Sequence, residues 1–411
     1  PSGNIPSENI DQFHELWKRL LSDAIIYLKW KDKREFSGNN KSEYEQDKVA
    51  FGVEELFTYF EKFREFEALL YGADQFYRDH IMHVFRVWLI GMWLMEKFRY
   101  RVHWDFKEIN AGKSELTVTK DEVFAMWCII ALTHDLGYPL HKIEKLRRKI
   151  EDMMIYFGGA SYAEADFQIP THHHFINDFI LQFISSKLDY GEGGVNNSKT
   201  SFRTSRQSKY YLKFSKSFEK FEHGIISCIL LMKNLVYFLE SDLDLSKPFT
   251  DPEDARQFYI RREILRAIAS HTCTDIYHLY PNSLAFMLIL ADELQSWGRP
   301  TFSEMKAGRQ VSELKIRVPE TSESKIEIEF ELAVPTKLNR KTTDEEEIIF
   351  KFRQWYKWLR SALGAGERNF VFSLKIRLGS RKEYHFVSKP GNMVRIYINN
   401  KEQDLAAILY S

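Results

Sequence analysis

Apolar positions along the chain follow two periods, and the change from one to the other comes near Pro300. From Ile10 to Trp30, and again from about Asp47 to Tyr71, apolar residues recur three and four apart, as in Leu16, Leu20, Leu21, Ile25 and Leu28. That spacing predicts amphipathic helices. The polar, unpatterned stretch Phe36 to Gln46 between them predicts a loop. Asp74 to Arg99 predicts a longer helix, largely buried because Val84 to Ile90 is apolar apart from Arg86. Thr119 and Glu122 have capping-box spacing ahead of Val123 to Leu132, so the next helix begins there. It leaves His134 and Asp135 at its C-terminal end, where Gly137 and Pro139 stop it. Helical periodicity returns over Lys142 to Ile155, Phe218 to Leu239, Asp254 to Ser270 and Ser283 to Trp297. The histidine-rich Thr171 to His174 leads on to the loop formers Gly191 to Ser198, which predict a mobile surface excursion.

Beyond Pro300 the period falls to two. Ile326, Ile328, Phe330, Leu332 and Val334 alternate with polar residues, as do Phe370, Phe372, Leu374, Ile376 and Leu378, and both runs predict half-buried strands. Thr343 and Glu346 cap a helix of about Asp344 to Leu363 between them, and Tyr384 to Val387 with Val394 to Ile398 predict a last strand pair. Trp355, Tyr356 and Trp358 fall at helical spacing and predict packing or oligomer contacts. The expected fold is therefore mostly α, with N-terminal helices over 1–70, a multi-helix domain over 71–300 and a small α+β domain over 301–411.

Composition narrows the function. Lys plus Arg and Asp plus Glu are equal at 58 each over 411 residues, so no bulk positive field favours nucleic acid. The three cysteines, Cys128, Cys228 and Cys273, show no CxxC spacing, which argues against a zinc knuckle or disulfide framework and fits a reducing cytoplasm. Apolar runs meet charges or histidines before about 18 residues, so no membrane span is expected. No glycine-rich phosphate loop of the Walker type and no serine nucleophile elbow is present.

The chemistry concentrates at Ala131-Leu132-Thr133-His134-Asp135-Leu136-Gly137-Tyr138-Pro139, where an apolar helix ends in an imidazole and a carboxylate. Such a pair can hold a divalent cation that polarises phosphate and makes water nucleophilic near neutral pH. Two distant positions join it. His83 sits on an apolar helix, and Asp292 follows the apolar run Leu284 to Ala291, where an unpaired carboxylate would be costly to bury. Taken singly, each has an ordinary reading: His83 as a satisfied core histidine, Asp292 as a carboxylate paired with Arg266 or Arg299. As an ordered set they point to a shared metal.

The set resembles the HD superfamily of metal-dependent phosphohydrolases, whose pattern is a histidine, a His-Asp pair and a distant aspartate. Here the matching positions are His83, His134-Asp135 and Asp292, within about residues 71 to 300. The resemblance implies an HD-type helical domain and metal-dependent hydrolysis of a nucleotide phosphate ester or anhydride, nearest to deoxynucleoside triphosphate triphosphohydrolases. It implies Mn, Fe, Mg, Co or Zn as the ion, with Asp135 orienting water. His223, in Glu222-His223-Gly224, resembles the histidine that protonates a leaving group, and His271 resembles a ligand of two-metal members. His173 is a further candidate for a second metal or a phosphate. Arg78, Arg86, Tyr138 and Lys142 are substrate-contact candidates by position, although the basic run Lys142, Lys145, Arg147 and Arg148 also reads as a solvated helix face. Tyr138-Pro139-Leu140-His141 departs from the triphosphohydrolase pattern, which places another histidine directly after the glycine; His141 is offset from it. The expected partners are a nucleotide substrate, a nucleotide effector and further copies of the chain. Turnover inside a bacterial antiviral module, a phosphodiesterase acting on a cyclic or linear dinucleotide, and a nucleotide sensor without turnover are the other functions the resemblance leaves open.

Overall fold

The computed structural model describes residues 7–30, 53–73, 79–98, 118–154, 156, 171–191, 201–238, 249, 251–273, 276, 283–297, 313–317, 326–334, 346, 349, 352–353, 356, 370–378, 382–389, 393–404 and 408. The fold is mostly helical, with a small sheet toward the C-terminus. Its contacts separate two units, Pro1–Met92 with Asp105–Cys273, and Trp93–Trp104 with Thr274–Ser411.

The first unit is built around helix α4 (Lys120–Thr133), whose residues from Glu122 to Thr133 are buried except Phe124. A helix that is apolar on every side has no solvent face and must be surrounded. Its capping box forms as the spacing predicts: the Thr119 hydroxyl accepts from Glu122 N (3.3 Å) and the Glu122 carboxylate accepts from Thr119 N (2.8 Å). Helices α1 (Ser7–Trp30) and α9 (Pro252–Ser270) pack on it. Trp17 donates from its indole to Leu132 O (2.8 Å) and stacks on Phe60 of α2 (Val53–Ala73), with ring centres 4.0 Å apart. The Trp127 indole donates to Trp88 O (3.1 Å) on α3 (Ile81–Phe98). A Cβ at Gly91 would lie 1.9 Å from that indole, so only glycine permits this approach.

After α4 the chain turns through 134–137 into α5 (Tyr138–Met154). Pro139 therefore occupies the first turn of a new helix, where its missing N–H costs no bond. The stretch Lys120–Ile143 has the length and hydropathy of a membrane span, yet 78% of its most apolar window is buried inside the protein.

Thr171 to His174 opens helix α6 (Thr171–Ile184). Two expectations for this unit are corrected. Gly191 ends strand β1 (Ser186–Gly191), which pairs antiparallel with β2 (Ser201–Arg206); residues 192–198 of the expected excursion lie outside the described residues. The single helix expected over Phe218 to Leu239 is broken. Helix α7 (Ser208–Glu219) ends in a turn with Phe221 at φ 50°, α8 (His223–Asn234) begins anew, and a short 3-10 turn occupies Val236–Phe238. The break gives α8 its own N-terminus at His223, beside the turn that follows α4.

In the second unit, helix α10 (Leu284–Trp297) carries a buried run from Phe286 to Ala291. A six-stranded sheet runs in the order β3 (Glu313–Arg317), β4 (Ile326–Val334), β5 (Phe370–Leu378), β6 (Lys382–Lys389), β7 (Met393–Ile398) and β8 (Lys401–Gln403). Every neighbouring pair is antiparallel except β4 with β5. That parallel pair needs a crossover, and Glu346, Ile349, Phe352, Arg353 and Tyr356 within it are helical. Phe352 stacks on Phe386 (3.8 Å), over a face built from Leu374, Ile376, Tyr384 and Ile396. Asn399 and Asn400, both at positive φ, close the β7–β8 hairpin.

Candidate metal centre

Four histidines from four separate elements converge on the Asp135 carboxylate. His83 comes from the first turn of α3, His134 and Asp135 from the turn after α4, His223 from the first position of α8, and His271 from the residue after α9. Asp135 Oδ2 lies 3.4 Å from His83 Nε2 and 3.6 Å from His134 Nε2, while Oδ1 lies 3.3 Å from His223 Nε2 and 3.7 Å from His271 Nε2. Burial would raise the Asp135 pKa, but His134, the contacts from His223 and His271, and His83 outweigh it and hold the carboxyl well below its usual value.

Backbone carbonyls set the orientation of two of these rings. His134 Nδ1 donates to Ala131 O (2.8 Å) and His271 Nδ1 donates to Ile268 O (2.6 Å). A carbonyl can only accept, so each Nδ1 carries a proton and Nε2 is the ring atom turned toward Asp135; in the neutral form of such a ring, Nε2 is unprotonated. That tautomer is the one a metal ligand needs. His83 Nε2 and His134 Nε2 are 3.4 Å apart, a meeting of two nitrogens that a shared proton or a cation would stabilise. The Nε2 atoms of His134 and His271 with an Asp135 oxygen meet the spacing for one metal ion, and their mixed nitrogen and oxygen chemistry fits a divalent ion of the Mn, Fe, Co or Zn kind.

The turn itself is held by Ser227, whose hydroxyl donates to His134 O (2.6 Å) and accepts from Gly137 N (2.7 Å). A Cβ on Gly137 would stand 2.4 Å from His223 O and 2.7 Å from Ser227 N, both backbone atoms. This close approach brings His223 to Asp135. Helix α2 supports the same turn, with the Tyr59 hydroxyl donating to Leu136 O (2.7 Å). It also carries buried Glu67, which accepts from His80 N (2.7 Å) just before α3 and so anchors the helix bearing His83.

Of the residues expected from sequence, His83, His134, Asp135, His223 and His271 come together. Tyr138 lies beside them, its ring 5.3 Å from that of His223, with Lys142 Nζ 4.9 Å from the Tyr138 ring centre. Asp292 is half-buried on α10 of the second unit. Arg86 is exposed on α3, while Arg78 and the His173 side chain lie outside the described residues. Ser227, Tyr59, Glu67 and His80 were not read from the sequence as parts of the site. Only Ser227 had a local signal, four residues after His223 and so on the same helix face. No family model matches this chain, and neither does any curated protein or solved structure.

Proposed function

We propose that this chain is a divalent-metal-dependent phosphohydrolase that cleaves a phosphate ester or anhydride of a nucleotide, with deoxynucleoside triphosphates as the first substrates to test. The observation that carries the reading is the Asp135 carboxylate with four imidazole nitrogens within 3.7 Å. The Nε2 atoms of His134 and His271 face the carboxylate while their Nδ1 atoms donate to backbone carbonyls, the orientation a metal-ligating imidazole needs.

In this reading His83, His134 and Asp135 would hold the ion. A bound divalent ion supplies Lewis acidity toward a phosphoryl oxygen and lowers the pKa of water. Asp135 would help to hold that ion and would orient the attacking water. His223, whose side chain is 21% exposed where those of His83 and His134 are at most 1%, reaches the solvent side and donates a proton to the departing oxygen. The inward position of His271 beside His223, with ring centres 5.0 Å apart, favours a second reading, a two-metal phosphodiesterase acting on a cyclic or linear dinucleotide.

Incubation with a panel of nucleotides plus Mn, Fe, Co or Mg, followed by product identification, tests both readings. Release of inorganic triphosphate supports the first and nucleoside monophosphate from a dinucleotide supports the second. Nucleotide that binds and is recovered intact under every metal would reject both.

A further inference from the structure

Basic and acidic residues balance over the whole chain but not locally. Residues 201–220 carry six cations, Arg203, Arg206, Lys209, Lys213, Lys216 and Lys220, against one acid, Glu219. The structure sets four of them in a row. Lys209, Lys213 and Lys216 fall at i, i+4 and i+7 of α7, and Lys220, directly after the helix, continues the line. The row is about 16 Å long at the helical rise per residue. Lys209, Lys216 and Lys220 are exposed, as is Arg206 at the end of β2, which lies over the Tyr211 ring (5.0 Å). Lys209 and Lys213 have partners within the protein as well, so Lys216 and Lys220, which form no ion pair among the described residues, carry the argument. Like charges one turn apart on a helix repel. Helix α2 shows the usual remedy, with Lys62 held by Glu65 at 3.0 Å, whereas α7 has only Glu219 for that purpose. The other side of α7 is committed to the protein. Phe214 and Ser217 are buried, the Tyr210 ring lies under the Arg266 guanidinium, and the Tyr211 hydroxyl donates to Asp178 of α6.

We propose that the lysine row of α7 is an interaction surface for the sugar–phosphate backbone of a nucleic acid. Such a backbone is a linear polyanion, and a row one side chain wide complements it; about five phosphates of a duplex strand lie along its length. An anionic bilayer is a poorer match, because a helix lying in a bilayer keeps its apolar face for lipid, and α7 turns that face into the protein. A protein partner is a poorer match too. Stable protein interfaces centre on buried aromatic or arginine anchors, and of the large apolar side chains of α7 only Leu212 is exposed (61%). Contacts to phosphate position a strand without reading its bases, so binding here is independent of sequence. The surface stands apart from the Asp135 centre and needs no turnover there.

The test is fluorescence anisotropy of the full chain with labelled oligothymidylate and a labelled duplex, each of about 20 nucleotides per strand, between about 50 and 200 mM salt. A chelator is present throughout, so that no metal-dependent cleavage interferes. The native chain is expected to bind at the lower salt and to weaken at least about tenfold at the higher. Lys216→Gln with Lys220→Gln is expected to lower low-salt affinity at least about tenfold and to reduce the slope of log affinity against log salt by about two, one for each lost phosphate contact. Arg19→Gln removes a cation that is 81% exposed on α1 and should change neither quantity. Thermal melts check that the variants fold, and the two single substitutions, each expected to lower the slope by about one, carry the test if the double variant does not. No binding of either oligonucleotide at low salt, unchanged binding in the folded lysine variants, or an equal loss in Arg19→Gln would overturn the surface. Vesicles containing phosphatidylserine form the last arm. Binding to them in preference to both oligonucleotides, lost in the lysine variants, would replace the nucleic acid with a membrane.

Discussion

Two half-hidden histidine sites in this molecule differ in how their polar atoms are satisfied. On the sheet, His385 of β6 meets the Ser373 hydroxyl of β5 at 2.8 Å, and Tyr397 of β7 flanks the ring at 6.0 Å. One donor meets one acceptor across neighbouring strands, an ordinary cross-strand pair. Around Asp135, four imidazoles crowd one carboxylate, and two of them are turned inward by backbone carbonyls. Mutual satisfaction marks a pair that holds the fold together. An excess of ligand-type nitrogens on one buried anion marks a site prepared for something else.

Substitutions should separate the two regions sharply. His134→Ala is expected to lower turnover more than about a thousandfold, because the lost interaction acts on transition-state charge worth several kcal/mol. A nucleotide hydrolysis assay reads it, and near-native turnover would erase the distinction between centre and sheet. Gly137→Ala comes next: a methyl 2.4 Å from His223 O must push the turn away from α8. Loss of about 1–3 kcal/mol in chemical denaturation, together with reduced turnover, is expected.

Alkaline pH offers a finer probe of the turn. Burial pushes the Tyr59 phenol above its usual value of 10.0, so the folded state favours the protonated group that donates to Leu136 O. This stabilisation is complete below pH 10 and is lost as the pH rises past it toward the folded pKa. Tyr59→Phe should cost about 1 kcal/mol at neutral pH and flatten the decline in stability above pH 10. Parallel alkaline curves for the two proteins would show that this hydroxyl is not what couples α2 to the turn. The smallest effect belongs to the sheet. Ser373→Ala should cost within about 1.5 kcal/mol in denaturation and leave turnover unchanged.

Local signals carried much of this architecture, and tertiary contacts the rest. Strands β4 and β5 run Ile326–Val334 and Phe370–Leu378, matching the alternation of apolar residues, because one face of each strand must be buried wherever the sheet packs. The Thr119 and Glu122 cap formed for a similarly local reason. The break at Phe221 left no such trace. No glycine marks its positive φ, and apolar periodicity resumes in α8 as though the helix had continued. Hairpin β1–β2 was hidden as well, since its strands are mostly polar and are fixed by burial of Leu188 and Phe202 and by Arg262 and Arg266 donating to Ser186 O. At the centre, the ligand-type residues were readable as a short motif with distant companions. Glu67, His80 and Tyr59 were not, because their partners lie in other elements.

Elemental analysis after equilibration with Mn or Fe and removal of excess ion tests the proposed metal centre most directly, with the native chain and Asp135→Asn compared side by side. Tightly bound divalent metal is expected in the native protein and nearly complete loss in Asp135→Asn. Metal absent from the native chain, or held equally by the native chain and Asp135→Asn, would contradict a metal centre at Asp135.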